Sequence, residues 1–231
     1  MRILSPLLLS VFLTLPLSAA VLADAVAGTI TVTGSATVNV VPDLATISLG
    51  VTTNGATAAA AMAANSTALS AVIGRLKAAG IADRDMQTSN LSLNPNWVSN
   101  ASGSANEIQG YIASNMLTVQ VKAMDTTGAV LDAAIADGAN TLNALTFGLQ
   151  NQRPQEDEAR KAAVADALAR AKLLSEASGA KLGAILSISE DSGMQPGPQP
   201  MYRMADAAAV PVAAGEVGVT ASVTIVFQIA P

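Results

Sequence analysis

The chain contains neither cysteine nor histidine. Without cysteine there can be no disulfides, no thiol nucleophile, no thiolate metal site and no lipidated N-terminal cysteine. Without histidine there is no imidazole general base, no serine-histidine triad and no histidine-rich zinc or iron site. Aromatic residues make up 3% of the chain, which argues against a stacking site for sugars or bases and against the aromatic girdles of a membrane barrel. Basic residues are also scarce, 12 against 17 acidic ones, for a formal charge of −5. They form no cluster, so neither nucleic acid nor an anionic membrane surface is an expected partner.

The longest apolar run lies at the N-terminus. Arg2 precedes Ile3 to Leu17, and small residues follow around Ala19-Ala20 and Val21-Leu22-Ala23. A charged start, a short apolar centre and a small-residue exit describe a secretory signal peptide. The run falls short of the roughly 20 residues a spanning helix needs, and Pro6 and Pro16 interrupt it. Residues 1–23 are therefore expected to be a cleaved signal, with cleavage after Ala23 or Ala25. The rest, 26–231, is read as one soluble domain with room for a sizeable core. Held by no disulfide, that domain has to rely on its core, on assembly, or on both.

Hydrophobic periodicity predicts the elements in turn. Thr29 to Val40 alternates, with Ile30, Val32, Gly34, Ala36, Val38 and Val40 on one side. Leu44 to Thr53 alternates again after Pro42-Asp43, and the pair reads as a hairpin. An alanine-rich helix is expected from Thr57 to Ala79 with Met62, Leu69, Val72, Ile73 and Leu76 as its stripe and Gly80 at its end. Strands are expected at Met86 to Val98 and Ile108 to Ala123, then a short helix capped by Asp125 and ended by Gly138, then a strand from Leu142 to Asn151. A helix from Pro154 to Ser178, closed by Gly179, carries the expected stripe Val164, Ala167, Leu168, Ala171 and Leu174. Strands Leu182 to Ser189 and Val217 to Ile229 follow, separated by a long Pro/Gly/Met/Ala loop. The order β-β-α-β-β-α-β-α-β-β indicates an α+β fold: antiparallel sheets with alanine-rich helices on one face. The pattern also leaves room for a degenerate internal duplication.

Residues that suggest chemistry are few. Asp83 and Asp85 flank Arg84, and Glu190-Asp191 ends a strand. These are read as solvated element ends rather than the paired acids of a glycosidase. Asp43 is expected to accept a backbone N–H within its own turn. Met194, Met201 and Met204 share the long loop. Their thioethers fit three readings: loose packing at an interface, targets for oxidants, or soft ligands for Cu(I). Trp97 at a strand end reads as an edge cover or interface anchor. No Walker loop, dinucleotide fingerprint or calcium loop is present, and no catalytic or cofactor-binding residue can be named.

The block Gly34-Ser-Ala-Thr-Val-Asn-Val-Val-Pro42-Asp43-Leu-Ala45 running on to Gly50-Val51 resembles the opening of the SIMPL-domain family. Further blocks follow in order: Gly80-Ile81 with Asp85-Met86-Gln87-Thr88; Tyr111 with Ala113-Ser114-Asn115 and Leu117 to Val121; Gly138-Ala139-Asn140 with Phe147. Gly179, Leu182-Gly183, Ile188-Ser189-Glu190, Val210-Pro211-Val212, Gly215-Glu216 and Ala221 to Phe227 complete the series. The resemblance spans almost the whole of 26–231. It implies an exported, non-enzymatic α+β protein, in the periplasm or peripheral to the outer membrane, associated with envelope integrity or oxidative-stress defence. It further implies a homo-oligomer, large and ring-like in at least one relative, with envelope proteins as further partners and no cofactor. The repeated glycines and Pro42-Asp43 look structural within the family.

Overall fold

The computed structural model describes residues 28–98, 107–190 and 212–230. The element order expected from sequence is the one found. Strands β1 (Thr29–Val40) and β2 (Leu44–Gly55) precede helix α1 (Ala58–Ala78), then come β3 (Met86–Val98) and β4 (Glu107–Val121). Helix α2 (Thr127–Ala136), β5 (Thr141–Gly148), helix α3 (Arg153–Ser178), β6 (Lys181–Glu190) and β7 (Val217–Ala230) complete it. All strand pairs are antiparallel, and the strands form two sheets, ordered β3-β4-β2-β5 and β1-β7-β6.

Each sheet has its own helix layer and its own core. In the four-stranded unit, α1 packs on β2 and β4 and touches α2. Ala45, Ile47, Leu49 and Val51 of β2 face Leu69, Val72 and Leu76 of α1, with Leu117, Val119 and Val121 of β4 beside them. Burying each large aliphatic contributes about 1.5–3 kcal/mol. Thr57 caps α1, its hydroxyl accepting from the N–H of Ala60 at 3.2 Å. Asn65, 1% exposed, lies among these aliphatics and donates to Val51 O at 2.8 Å and Ala113 O at 3.1 Å. It thus pins the helix to the β2–β4 pair.

The three-stranded unit is packed differently. Here α3 lies on β1 and β7 through Ala159, Ala163, Ala167, Ala171 and Ser175, one small residue per turn. The expected stripe is corrected: Leu168 and Leu174 are 41% and 50% exposed, and Val164 is only partly buried. The volume comes instead from the sheet, from Val32, Val223, Ile225 and Phe227. Gly34 shows how close the layers are, since a Cβ there would stand 2.2 Å from Ala163 O and 2.4 Å from Ala167 N. Leucines on the helix would hold it off the sheet, so they are turned outward.

The β1–β2 hairpin is not formed. β1 pairs with β7, from Thr29 with Gln228 to Val40 with Val217, while β2 pairs with β4 and β5. Val41-Pro42-Asp43 offers neither of the positive-φ residues that close a tight hairpin, and among the described residues positive φ is confined to Gly80, Gly138, Gly179 and Gly215. The chain instead crosses from one unit to the other at residues 41–43 and returns at 149–152. The two crossings are bonded together. Asp43 N–H donates to Gly148 O at 3.1 Å, Asp43 Oδ1 accepts from Gln150 N–H at 2.7 Å, and Gln150 Nε2 donates to Asp43 O at 2.9 Å. Asp43 is structural, but across 107 residues rather than within its own turn.

Asp125 does not cap α2. It sits in a 3₁₀ turn, Met124–Thr126, where the hydroxyls of Thr126 and Thr127 donate back to Ala123 O and Met124 O. The helix starts after this turn, at Thr127, with no side-chain cap.

Candidate functional site

Asp83, Asp85 and Glu190 each face a basic side chain, and Asp191 lies outside the described residues. Asp83 and Asp85 are held by Lys77 and Lys122 respectively, on the loop between α1 and β3. Glu190 is held by Arg160 Nε at 2.6 Å, and the same guanidinium reaches Asp157 and Glu156 on its own helix. Its pKa is raised first by the hydrogen bond to Glu190, and this contact fastens the end of β6 to α3. Among the described residues no group of acidic side chains gathers as a metal site would require. The loop methionines Met194, Met201 and Met204 lie outside the described residues, as do the signal segment 1–23 and residues 99–106.

What the fold does offer is edges. β1 is one edge of the three-stranded sheet, and α3 reaches over it: Asp166 Oδ2 accepts the N–H of Ser35 at 3.0 Å and pairs with Arg170 at 2.9 Å. That backbone hydrogen bond first, and Arg170 second, lower the Asp166 pKa. β6 is the other edge and, among the described residues, pairs with β7 alone. Ile185, Leu186 and Ile188 on it are 46%, 54% and 57% exposed. Exposed large aliphatics along a strand edge form a template for another chain.

β3 is an edge as well, pairing only with β4 among the described residues, and none of its residues is fully buried. Leu91, Leu93, Trp97 and Val98 are exposed along it, and Pro95 takes an edge position where its missing N–H breaks no ladder. Trp97 stands beside Asn96 at the end of this strand.

Clefts lined by described residues flank the four-stranded sheet. One, of about 200 Å³, opens between α2 and β5 and is lined by Leu131, Ile135 and Leu142 with Asn140. Asn140 is not free there, since its side chain accepts from Thr52 N–H and donates to Thr52 O, each at 2.8 Å. The other cleft, of about 360 Å³, lies where β2 runs into α1 beside β3 and β4. Asn54, Ala56, Asn96, Gln109 and Tyr111 line it. Sequence reasoning did not single out these amides. No motif joins them, and only the strand register brings Gly55 opposite Tyr111 and Asn96 opposite Gly110.

No helix among the described residues is long and apolar enough to cross a membrane. The family model "SIMPL: Protein of unknown function (DUF541)" matches residues 30–227. The chain is 39% identical over 211 residues to the "26 kDa periplasmic immunogenic protein" of Brucella melitensis biotype 1, covering 87% of this chain and 84% of that protein. It is 31% identical over 209 residues to the "Uncharacterized protein YggE" of Escherichia coli K12, covering 87% and 83%. To the protein of the same name from Edwardsiella ictaluri it is 28% identical over 177 residues, covering 76% and 74%. None of these names is that of an enzyme. With the match running from the first strand to the last, the chain belongs to the SIMPL family.

Proposed function

We propose that this chain is an exported periplasmic protein that works by self-association rather than catalysis, supporting the cell envelope under oxidative or other stress. The observation that carries the reading is the β6 edge, where Ile185, Leu186 and Ile188 stand exposed on a strand that pairs on one side among the described residues. A second copy is the partner that such an edge suits. A chain without disulfides gains stability from assembly by mass action, and a repeated head-to-tail contact closes into a ring. The periplasmic part of the proposal is supported by the name of the Brucella relative and by the signal-like N-terminus. Envelope proteins are the further partners the proposal allows.

Light scattering on the signal-free protein after size exclusion tests it. A discrete assembly whose mass holds on dilution is expected, and Leu186→Lys with Ile188→Lys should lower that mass, and the melting temperature with it, while the circular-dichroism spectrum of the folded chain is kept. A parent that runs as a monomer at every concentration overturns self-association. An assembly unmoved by the double variant overturns β6 as its contact. Replacing Trp97, or deleting residues 193–209, asks the same question of the β3 edge and the long loop.

A further inference from the structure

We propose that the cleft at the junction of β2 and α1 is a binding site for a neutral saccharide. The composition of the chain as a whole argues against a sugar site, but the fold sets one aromatic ring and three carboxamides around a single cleft. The chain has one tryptophan and two tyrosines, and Trp97 and Tyr111 both stand on the β3–β4 hairpin. Tyr111 lines the cleft, and Trp97 follows Asn96, which lines it too.

The chemistry of the walls selects the ligand class. Asn54, Asn96 and Gln109 bring three carboxamides, none bonded through its side chain to another described residue. A carboxamide both donates and accepts, as does a sugar hydroxyl, and a set of them reads a polyol without favouring either charge. Among the described residues no charged side chain lines the cleft. Along the sequence, Met86 to Asn106 contains no charged residue, and Glu107 is the only one before Lys122. A phosphate or carboxylate ligand would call for arginine or lysine, and a cation for carboxylates. The half-buried ring of Tyr111 supplies an apolar surface of the kind that covers one face of a pyranose.

The site is built on a firm floor. Gly55 and Gly110 lie so close that a Cβ on Gly110 would stand 2.8 Å from Gly55 O, and one on Gly55 would stand 2.4 Å from Ala61 N in the first turn of α1. Strand, strand and helix start are thus in backbone contact beneath the amides. A volume of about 360 Å³ falls in the range of small-molecule sites.

Trp97 is the sole tryptophan, so its fluorescence reports on this end of the molecule directly. The signal-free full chain is titrated with the trimer of N-acetylglucosamine and, separately, with maltotriose, and calorimetry is run alongside. A saturable change with at least one of them is expected. Asn96→Ala with Gln109→Ala, and separately Tyr111→Ala, should weaken it by about tenfold or more at an unchanged melting temperature. Absence of saturation with both sugars overturns the proposal, and so does equal affinity in the parent and both variants. A response to phosphatidylcholine vesicles but not to sugars overturns it in favour of a bilayer surface. Oligomer mass is measured in the same samples. Loss of assembly with sugar binding retained, or the reverse, separates this site from self-association.

Discussion

The two helix-on-sheet units bury their helices by opposite means. In the four-stranded unit the helix brings the bulk: Leu69, Val72 and Leu76 of α1 descend onto the sheet, with Asn65 as a polar pin. In the three-stranded unit the sheet brings the bulk, and the fully buried positions of the helix are alanines and one serine, seated over Gly34. The first arrangement tolerates small adjustments, because long side chains can change rotamer. The second has none to adjust, since the near atoms are backbone. Close packing over glycine is rigid and unforgiving, whereas packing through leucine is more forgiving per site but loses more when a side chain is removed.

The largest expected effect that separates the two is at Gly34. Gly34→Val should prevent α3 from docking and cost well over about 3 kcal/mol, or yield no folded protein, by thermal melting and circular dichroism. Gly74→Ala, in open space on α1, should by contrast stabilise by about 0.5–1 kcal/mol. Equal behaviour of the two glycines would remove the distinction between the units.

Next in size is a crossed pair of helix substitutions. Leu69→Ala should cost about 2–5 kcal/mol by leaving a cavity. Ala167→Leu should cost about 1–3 kcal/mol by overfilling, while exposed Leu168→Ala should change stability by less than about 0.5 kcal/mol. Denaturant melts of the three decide whether each helix is packed as described.

The smallest effect is electrostatic. The folded pKa of Asp166 is depressed, so the tie to Ser35 and Arg170 contributes stability above the ordinary aspartate range. That contribution is lost as pH falls below about 4, through the folded value. Asp166→Asn should flatten the acid limb of a stability–pH curve, and faster amide exchange at Ser35 should accompany it. An unchanged acid limb in the variant would show that this edge contact contributes nothing.

Sequence alone gave the element order because strand alternation and glycine helix ends are local signals. β3 was bounded at Met86 and Val98, as found, and α3 ended at Gly179, whose φ of 71° puts it in the left-handed region. Pairing was less legible. Alternation shows which residues of Thr29–Val40 face a core, but not that the neighbour is Val217–Ala230 rather than the strand three residues away. The α3 stripe was misplaced for a related reason. Hydrophobicity points to Leu168 and Leu174, and only the approach at Gly34 explains why alanines lie inward. Asp43 and Asn65 act on backbone groups far away in sequence, which local spacing does not encode. Of the candidate site, the uncharged stretch from Met86 to Asn106 was visible in principle; the cleft was not, because it depends on the register of three strands.

The pairing of β1 with β7 carries a consequence for how the chain reaches this state. Thr33 finds its hydroxyl partner Thr224 at 191 residues' remove, so one sheet has very high contact order and the other is assembled from strands nearer in sequence. A chain emerging from its N-terminus can complete the four-stranded unit while β1 waits without a partner. The three-stranded unit closes only when the last strand arrives, and Asp43 with Gln150 marks where the early unit is already tied off. Until that final strand pairs, the chain holds an unsatisfied first strand, so the three-stranded unit is the later of the two to close.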